Sequence, residues 1–180
     1  MRWSHRLNGC GEQEIYTISV DGTDCPIQEP KREDGEKGVD KKWYSHKFKG
    51  SGLRYELGVA THSSDIVWVN GPFPCGAFSD LKIYKEMGLS EKLIEAGEKC
   101  IADGTYRHYT VSQKGRGRSS WRKQKNRLRA RHETANNRIK IFDCFNQRWR
   151  HSHEMHGHAF RAAVFLTQLS FQFNPLMAWN

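Results

Sequence analysis

Three runs of strand character fall within residues 1–70: Ile15–Val20, Arg54–Ala60 and Asp65–Asn70. Only Thr61-His62-Ser63-Ser64 separates the last two, a link of hairpin length. The chain is therefore expected to open on a three-stranded meander. The first strand runs straight into Asp21-Gly22-Thr23, an Asp-Gly pair of the kind that marks a turn. A charged loop, Glu29–Lys42, follows it.

Beyond the meander the pattern changes. Gly71-Pro72-Phe73-Pro74-Cys75-Gly76 is expected to interrupt regular structure. Ser79 is placed to cap a helix over Asp80–Met87, and Ser90 to cap a short one ending at Ala96. Lys99–Ala102 reads as a brief strand that delivers Asp103. A Gly/Arg/Ser loop, Gly115–Ser120, precedes a long helix from about Ser120 to Phe145, and a last helix spans about His156–Phe171. The expectation is a mixed α/β domain with helices flanking a sheet, and 180 residues suit one such domain. Element order alone leaves other α/β folds open.

Composition narrows the partners. The formal net charge is +9, which favours a polyanion, because neutralising phosphates releases counterions. Five scattered cysteines without a C-x-x-C pair argue against a disulfide framework or a cysteine zinc site, and for a reducing compartment. The N-terminal segment is too polar for a signal peptide. The most apolar stretch, Ala159–Phe173, is interrupted by Arg161, Gln168 and Gln172, so no membrane partner is expected.

Four acids stand out by position: Asp21 after the first strand, Asp80 at a helix start, Asp103 after the fourth strand and Glu133 within the long helix. Strand ends in open sheets converge on a crevice. Two strand-end aspartates and a helix glutamate form an all-oxygen set suited to hard cations, and paired metals drive phosphoryl transfer. The plainer alternatives are two D-G turns and, for Asp80, an acid favoured by the helix dipole. In the long helix, Trp121, Leu128, Ala135, Ile139 and Phe142 fall within about 40° of one line and form the core stripe. Arg129, Glu133, Asn136 and Lys140 lie roughly 80–140° from it on one polar face. That face reads either as solvated, with an Arg129–Glu133 pair, or as a carboxylate set beside cations for phosphate.

VDGTDCPI, KKWYSHKFKG, LRYELGVA, DIVWVNGPFPCGAFSD, IADGTY and RLRARHETANNRIK occur in this order along nearly the whole chain. Together they resemble the endonuclease domain of PIF/Harbinger-like DDE transposases. The resemblance implies an RNase H-like fold and a nuclease that cuts and joins DNA with Mg2+ or Mn2+. It implies Asp21, Asp103 and Glu133 as the catalytic metal-binding acids, with Asp80 as an auxiliary metal position. Related bacterial transposases carry Y-x2-R-x3-E-x6-K on the glutamate helix. Arg129, Glu133 and Lys140 match its last three positions, while Asn126 stands at the tyrosine. Only twenty residues precede Asp21, where the family usually carries a helical DNA-binding region. A separate DNA-binding partner or a homo-oligomer is the corresponding expectation, with nuclear localisation in a eukaryote and cytoplasmic otherwise.

Lys114–Arg131 holds nine Lys/Arg in eighteen residues. With the resemblance in hand, Arg122, Lys123, Lys125, Arg129 and Lys140 are expected to contact DNA phosphate. A solvated basic helix or a nuclear localisation signal is the alternative reading of the run. His151, His153, His156 and His158 have spacing short of a diagnostic zinc motif and read as a surface turn more readily than as a metal site. The segment KKWYSHKF reads equally as core-packing strand and as phosphate-contacting lysines. The rival to an enzyme is a catalytically inactive DNA- or protein-binding module derived from a transposase.

Overall fold

The computed structural model describes residues 1–11, 15–30, 40–112 and 119–177. Among these residues six strands and four α-helices follow in chain order: β1 (Tyr16–Pro26), β2 (Tyr44–Ser45), β3 (Gly50–Ala60), β4 (Ile66–Pro74), α1 (Asp80–Glu86), α2 (Leu89–Glu95), β5 (Lys99–Ile101), β6 (Val111–Ser112), α3 (Ser119–Ile139) and α4 (His153–Ser170). Short 3-10 turns cover Trp3–Leu7 and Asp143–Phe145. The charged loop expected over Glu29–Lys42 falls mostly on residues 31–39, and the Gly/Arg/Ser loop mostly on 113–118, both outside the described residues. No helix among the described residues is long and apolar enough to cross a membrane.

The expected meander forms. β1 pairs antiparallel with β3, and β3 antiparallel with β4. β5 then returns parallel to β1, and β6 runs parallel to β5. Across the sheet the order is β4-β3-β1-β5-β6, with β2 paired to the start of β3. The mixed sheet flanked by helices is the RNase H-like arrangement that the motifs imply. β1 lies at its centre and is buried along most of its length, as expected for a strand covered on both faces.

Side-chain alternation divides the interior in two. Cys25, Leu53, Tyr55, Leu57 and Val59 meet Ala135 and Ile139 of α3 and Phe160, Ala163 and Val164 of α4. On the other face Ile18, Val20, Ala60 and Cys100 meet Tyr84 of α1 and Leu89 and Leu93 of α2. Arg131 fixes α3 to the β3–β4 link, donating from Nη1 to the Thr61 carbonyl and from Nη2 to the Ser63 carbonyl at 2.6 Å.

Several boundaries differ from expectation, each for a local reason. Asp21-Gly22 is not a turn: β1 continues to Pro26 because Asp21, Gly22, Thr23 and Asp24 stay in register with Leu57, Glu56, Tyr55 and Arg54. Gly71-Pro72 does not end β4. The register shifts between Arg54 and Glu56, so Tyr55 faces an irregularity there, and an edge strand tolerates a proline that donates no hydrogen bond. Ser79 caps α1, accepting from Lys82 N, but α2 is entered through Gly88 at φ 96° rather than through Ser90. α3 stops at Ile139 rather than reaching Phe145, and Phe142 packs on the core from beyond the helix. The side chain of Trp121 lies outside the described set.

Glu56 is an acid in this interior. It is 1% exposed, Trp68 Nε1 donates to its Oε2 at 2.9 Å, and its Oε1 has no hydrogen-bond partner. Burial, against the Trp68 hydrogen bond and with help from Asp80, pushes its pKa up to about 8 from 4.5. The unfolded chain releases this proton near 4.5 and the folded chain near 8, so stability falls as pH rises across that window and is level above it. Glu56→Gln keeps the acceptor for Trp68 and removes the titration. Urea denaturation is expected to show the variant more stable than the native chain at pH 8, by on the order of a few kcal/mol. The gain should disappear at pH 4.5, and a pH-independent difference would contradict a buried neutral Glu56.

Candidate active site

Because β1 pairs with β5 in parallel, Ser19 lies beside Ile101, and the chain leaving β5 carries Asp103 toward Asp21. α3 crosses the same face. Ser19, Val20, Asp21, Ile101, Asp103, Arg129, His132 and Glu133 line one cleft. It continues into a wider cavity of about 260 Å³ lined by Asp21, Gly22, Thr23, Lys47, Glu133, Asn136, Asn137 and Lys140. The three acids expected to act together thus share a crevice, although Asp21 occupies mid-strand rather than a strand end.

Each acid has its own setting. Burial raises the Asp21 pKa; Lys47 and the Gly22 backbone N–H pull it down, Asp103 pushes it up again, and Arg129 lowers it. Gly22 N donates to Asp21 Oδ1 at 2.9 Å. Asn136 Nδ2 stands 3.5 Å from Oδ2, the limit of a hydrogen bond. Asp103 follows the D-G turn expectation: its Oδ1 accepts from Thr105 N at 2.6 Å and Thr105 Oγ1 at 2.8 Å. Its Oδ2 lies 3.6 Å from Arg129 Nη2. Glu133 is exposed at the cleft wall. Among the described residues no set of three His, Cys, Asp or Glu side chains closes to ligand geometry. In chemistry the donors suit a divalent metal: they are carboxylates, as hard cations require, and the Asp21 charge, disfavoured by burial and by Asp103, is one that a cation would stabilise.

Sequence reasoning passed over the staple that holds α3 here. Ser19 Oγ and His132 Nδ1 are 3.0 Å apart in the interior. Burial pushes the His132 pKa down to about 4, so the ring is neutral at pH 7 and α3 meets β1 without adding charge. The signal was available, since His132 lies on the stripe of Leu128, Ala135 and Ile139 at helical spacing. Lys47, singled out only as part of KKWYSHKF, also belongs to the cleft and donates from Nζ to the Gly22 carbonyl at 2.8 Å.

The fold places three expected groups differently from their sequence reading. Asp80 does not join the other acids. It sits over Gly22 on the opposite face of β1, with Oδ1 3.3 Å from Arg54 Nε. Arg54 also binds Asp24 through two hydrogen bonds of 2.7 and 2.8 Å, so Asp80 completes an Asp24–Arg54–Asp80 group behind the cleft. Lys125 does not face solvent: it is 3% exposed, because it falls on the inward side of α3 three residues before Leu128. Arg122 and Lys123 are exposed, whereas Arg129 and Lys140 are half-buried beside the cleft, with Lys140 Nζ donating to the Asp24 carbonyl at 2.7 Å. The histidine cluster is spread over different environments. His156 is buried against Tyr55, its Nδ1 2.7 Å from the phenol oxygen; His153 packs on Trp43; His158 lies in solvent beside Glu154.

Gly22 explains itself in this geometry. A Cβ there would collide with the Asp80 carboxylate. Gly22→Ala must therefore displace Asp80 from Arg54 or bend β1 beneath Asp21. A stability loss of about 1–3 kcal/mol is expected by denaturant titration. The loss should shrink to less than about half when measured in an Asp80→Ala background, because the clash is gone and neighbouring substitutions couple. Equal losses in both backgrounds would contradict the contact.

The chain matches the DDE superfamily endonuclease family over residues 20–168. No curated protein and no solved structure matches it. The matched span contains β1 from Val20 onward, β5 and α3, and with them every residue of the shared cleft except Ser19. With most of its length covered and its acids brought to one crevice, the chain belongs to the DDE superfamily endonuclease family.

Proposed function

We propose that this domain is a divalent-metal-dependent DNA endonuclease and strand transferase of the transposase type, and that its subtype is PIF/Harbinger-like. The shared cleft of Asp21, Asp103 and Glu133 carries the reading. Asp21, Asp103 and Glu133 would hold Mg2+ or Mn2+, which supplies Lewis-acid activation of water or a DNA 3′-hydroxyl and stabilisation of the leaving oxygen. The chain's own residues do the rest. Arg129 and Lys140 flank the acids as cations for the scissile and neighbouring phosphates, and Lys47 adds a third on the far wall. Asn136 orients the Asp21 carboxylate. Arg122 and Lys123 extend the positive surface along the exposed side of α3, where phosphate contacts fix DNA register without reading sequence. The order of six motifs along the chain supports the subtype, and the basic run preceding and entering α3 suits a nuclear protein.

A second reading, a DNA- or protein-binding module without turnover, is favoured by one observation. Arg129 already stands at 3.6 Å from Asp103 and offsets the charge that a metal would otherwise meet.

Plasmid nicking separates the two. With Mn2+ the native chain is expected to relax supercoiled DNA. Asp21→Asn and Glu133→Gln should each lower the rate by at least about 100-fold, the scale of a lost Lewis-acid contribution of several kcal/mol. Salt-dependent DNA binding with no nicking selects the binding module. Nicking that persists in Asp21→Asn removes the assignment of that acid.

A further inference from the structure

The segment 40–50 carries aromatic and basic groups of which the cleft uses only Lys47. Lys41, Lys42, Lys47 and Lys49 alternate with Trp43, Tyr44, His46 and Phe48. Two of the rings have packing roles. Trp43 lies against the core and stacks near His153, with centroids 4.5 Å apart, and Phe48 folds over Gly52. Tyr44 and His46 do not point into the core. Their rings meet edge to face at 5.0 Å, and with Lys41 and Gly76 they line an open cavity of about 540 Å³. That volume is in the range of small-ligand sites.

This cavity is built on fixed backbone, and Lys47 ties its hairpin to the acidic cleft. Ser45 Oγ donates to Asp24 Oδ2 at 2.6 Å, and Lys47 Nζ reaches the Gly22 carbonyl. On the other side Gly76 N and Ala77 N both donate to the Lys42 carbonyl, at 3.1 and 3.0 Å. Gly76 approaches so closely that a Cβ would run into the Lys41 carbonyl. The hairpin of β2 and β3 therefore lines two spaces at once: Tyr44 and His46 face the cavity, while Lys47 faces the acids.

We propose that Lys41, Tyr44, His46 and Gly76 form a pocket for an unpaired nucleobase of the DNA strand whose backbone crosses the acidic cleft past Lys47. Rings accept the π-face of any base, so such a pocket is tolerant of sequence, while flanking lysines neutralise the adjacent phosphates. Among the described residues no carboxylate lines it to hold a metal, and an anionic peptide would leave the two rings without a partner. A base held here would fix the position of the strand relative to Asp21, which phosphate contacts alone do loosely. The inference rests on the nuclease reading for the identity of the polymer, but not on turnover.

Two duplexes test it, one with an unpaired 2-aminopurine and one fully paired, bound without divalent metal. The native chain should bind the unpaired form at least about 5-fold more tightly and quench its fluorescence. Tyr44→Leu and His46→Ala should each weaken that binding roughly 10-fold, the scale of a lost base–ring stack, and leave the paired duplex within about 2-fold. Tyr44→Phe should retain both affinities. Should Tyr44→Leu fail to fold, His46→Ala and Tyr44→Phe decide by the same criteria. Equal affinity of the native chain for the two duplexes, or equal weakening of both by the substitutions, overturns the pocket. Nicking assays are read separately: Asp21→Asn that nicks normally, with the 2-aminopurine preference intact, defeats the nuclease reading and leaves the pocket standing. Metal-dependent nicking with no preference for the unpaired base defeats the pocket alone.

Discussion

β1 is paired antiparallel to β3 over Ile18–Pro26 and parallel to β5 over Tyr16–Ser19, and it is covered on both faces. The rest of the molecule depends on that position. The antiparallel edge fixes which residues of β1 face α3 and which face α1, because a one-residue slip would exchange the two sets. The parallel edge brings the end of β5, and Asp103 with it, to the middle of β1. A central strand of this kind cannot relax locally, and that rigidity is what a site built from acids on three separate elements requires.

Asp24 and Asp21, on opposite faces of β1, meet the problem of buried charge differently. Toward α1, Asp24 and Asp80 share Arg54, with Ser45 completing the Asp24 hydrogen bonds, so the Asp24 pKa is lowered despite its burial, while burial raises that of Asp80. Toward α3, Asp21 is left partly uncompensated, and its pKa is raised. Buried charge is tolerated when paired and hydrogen-bonded and is costly otherwise. Asp24, paired and hydrogen-bonded, serves the structure, and Asp21, which lines the open cleft, is where a cation has something to stabilise. Gly22 is the point at which the two faces come closest.

Much of this was legible along the chain. The four-residue link after Ala60 required a hairpin, and Ser79 capped α1 as its position suggested. The polar line Arg129, Glu133, Asn136 and Lys140 along α3 did turn toward the strands, because helical spacing is a local property that packing preserves. The failures were of another kind. Asp21-Gly22 carried a turn signal that register with β3 overrode, and the Gly-Pro run was absorbed into an edge strand by a register shift. Lys125 looked like one more surface cation in a basic run, although its phase on the helix put it inside.

By itself the sequence determined the meander, the main helices and their order, and the phase of the polar residues spaced around Glu133. Only the tertiary structure decided that Asp80 stands behind β1 rather than beside Asp21, that Ser19 and His132 bind α3 to β1, and that Lys47 joins the cleft from residue 47 while Lys125 leaves it. The reason is physical. Spacing along a chain specifies which side of its own helix or strand a residue occupies, but which sides face one another depends on sheet order and register. Those are set by contacts between residues as distant as Ser19 and His132.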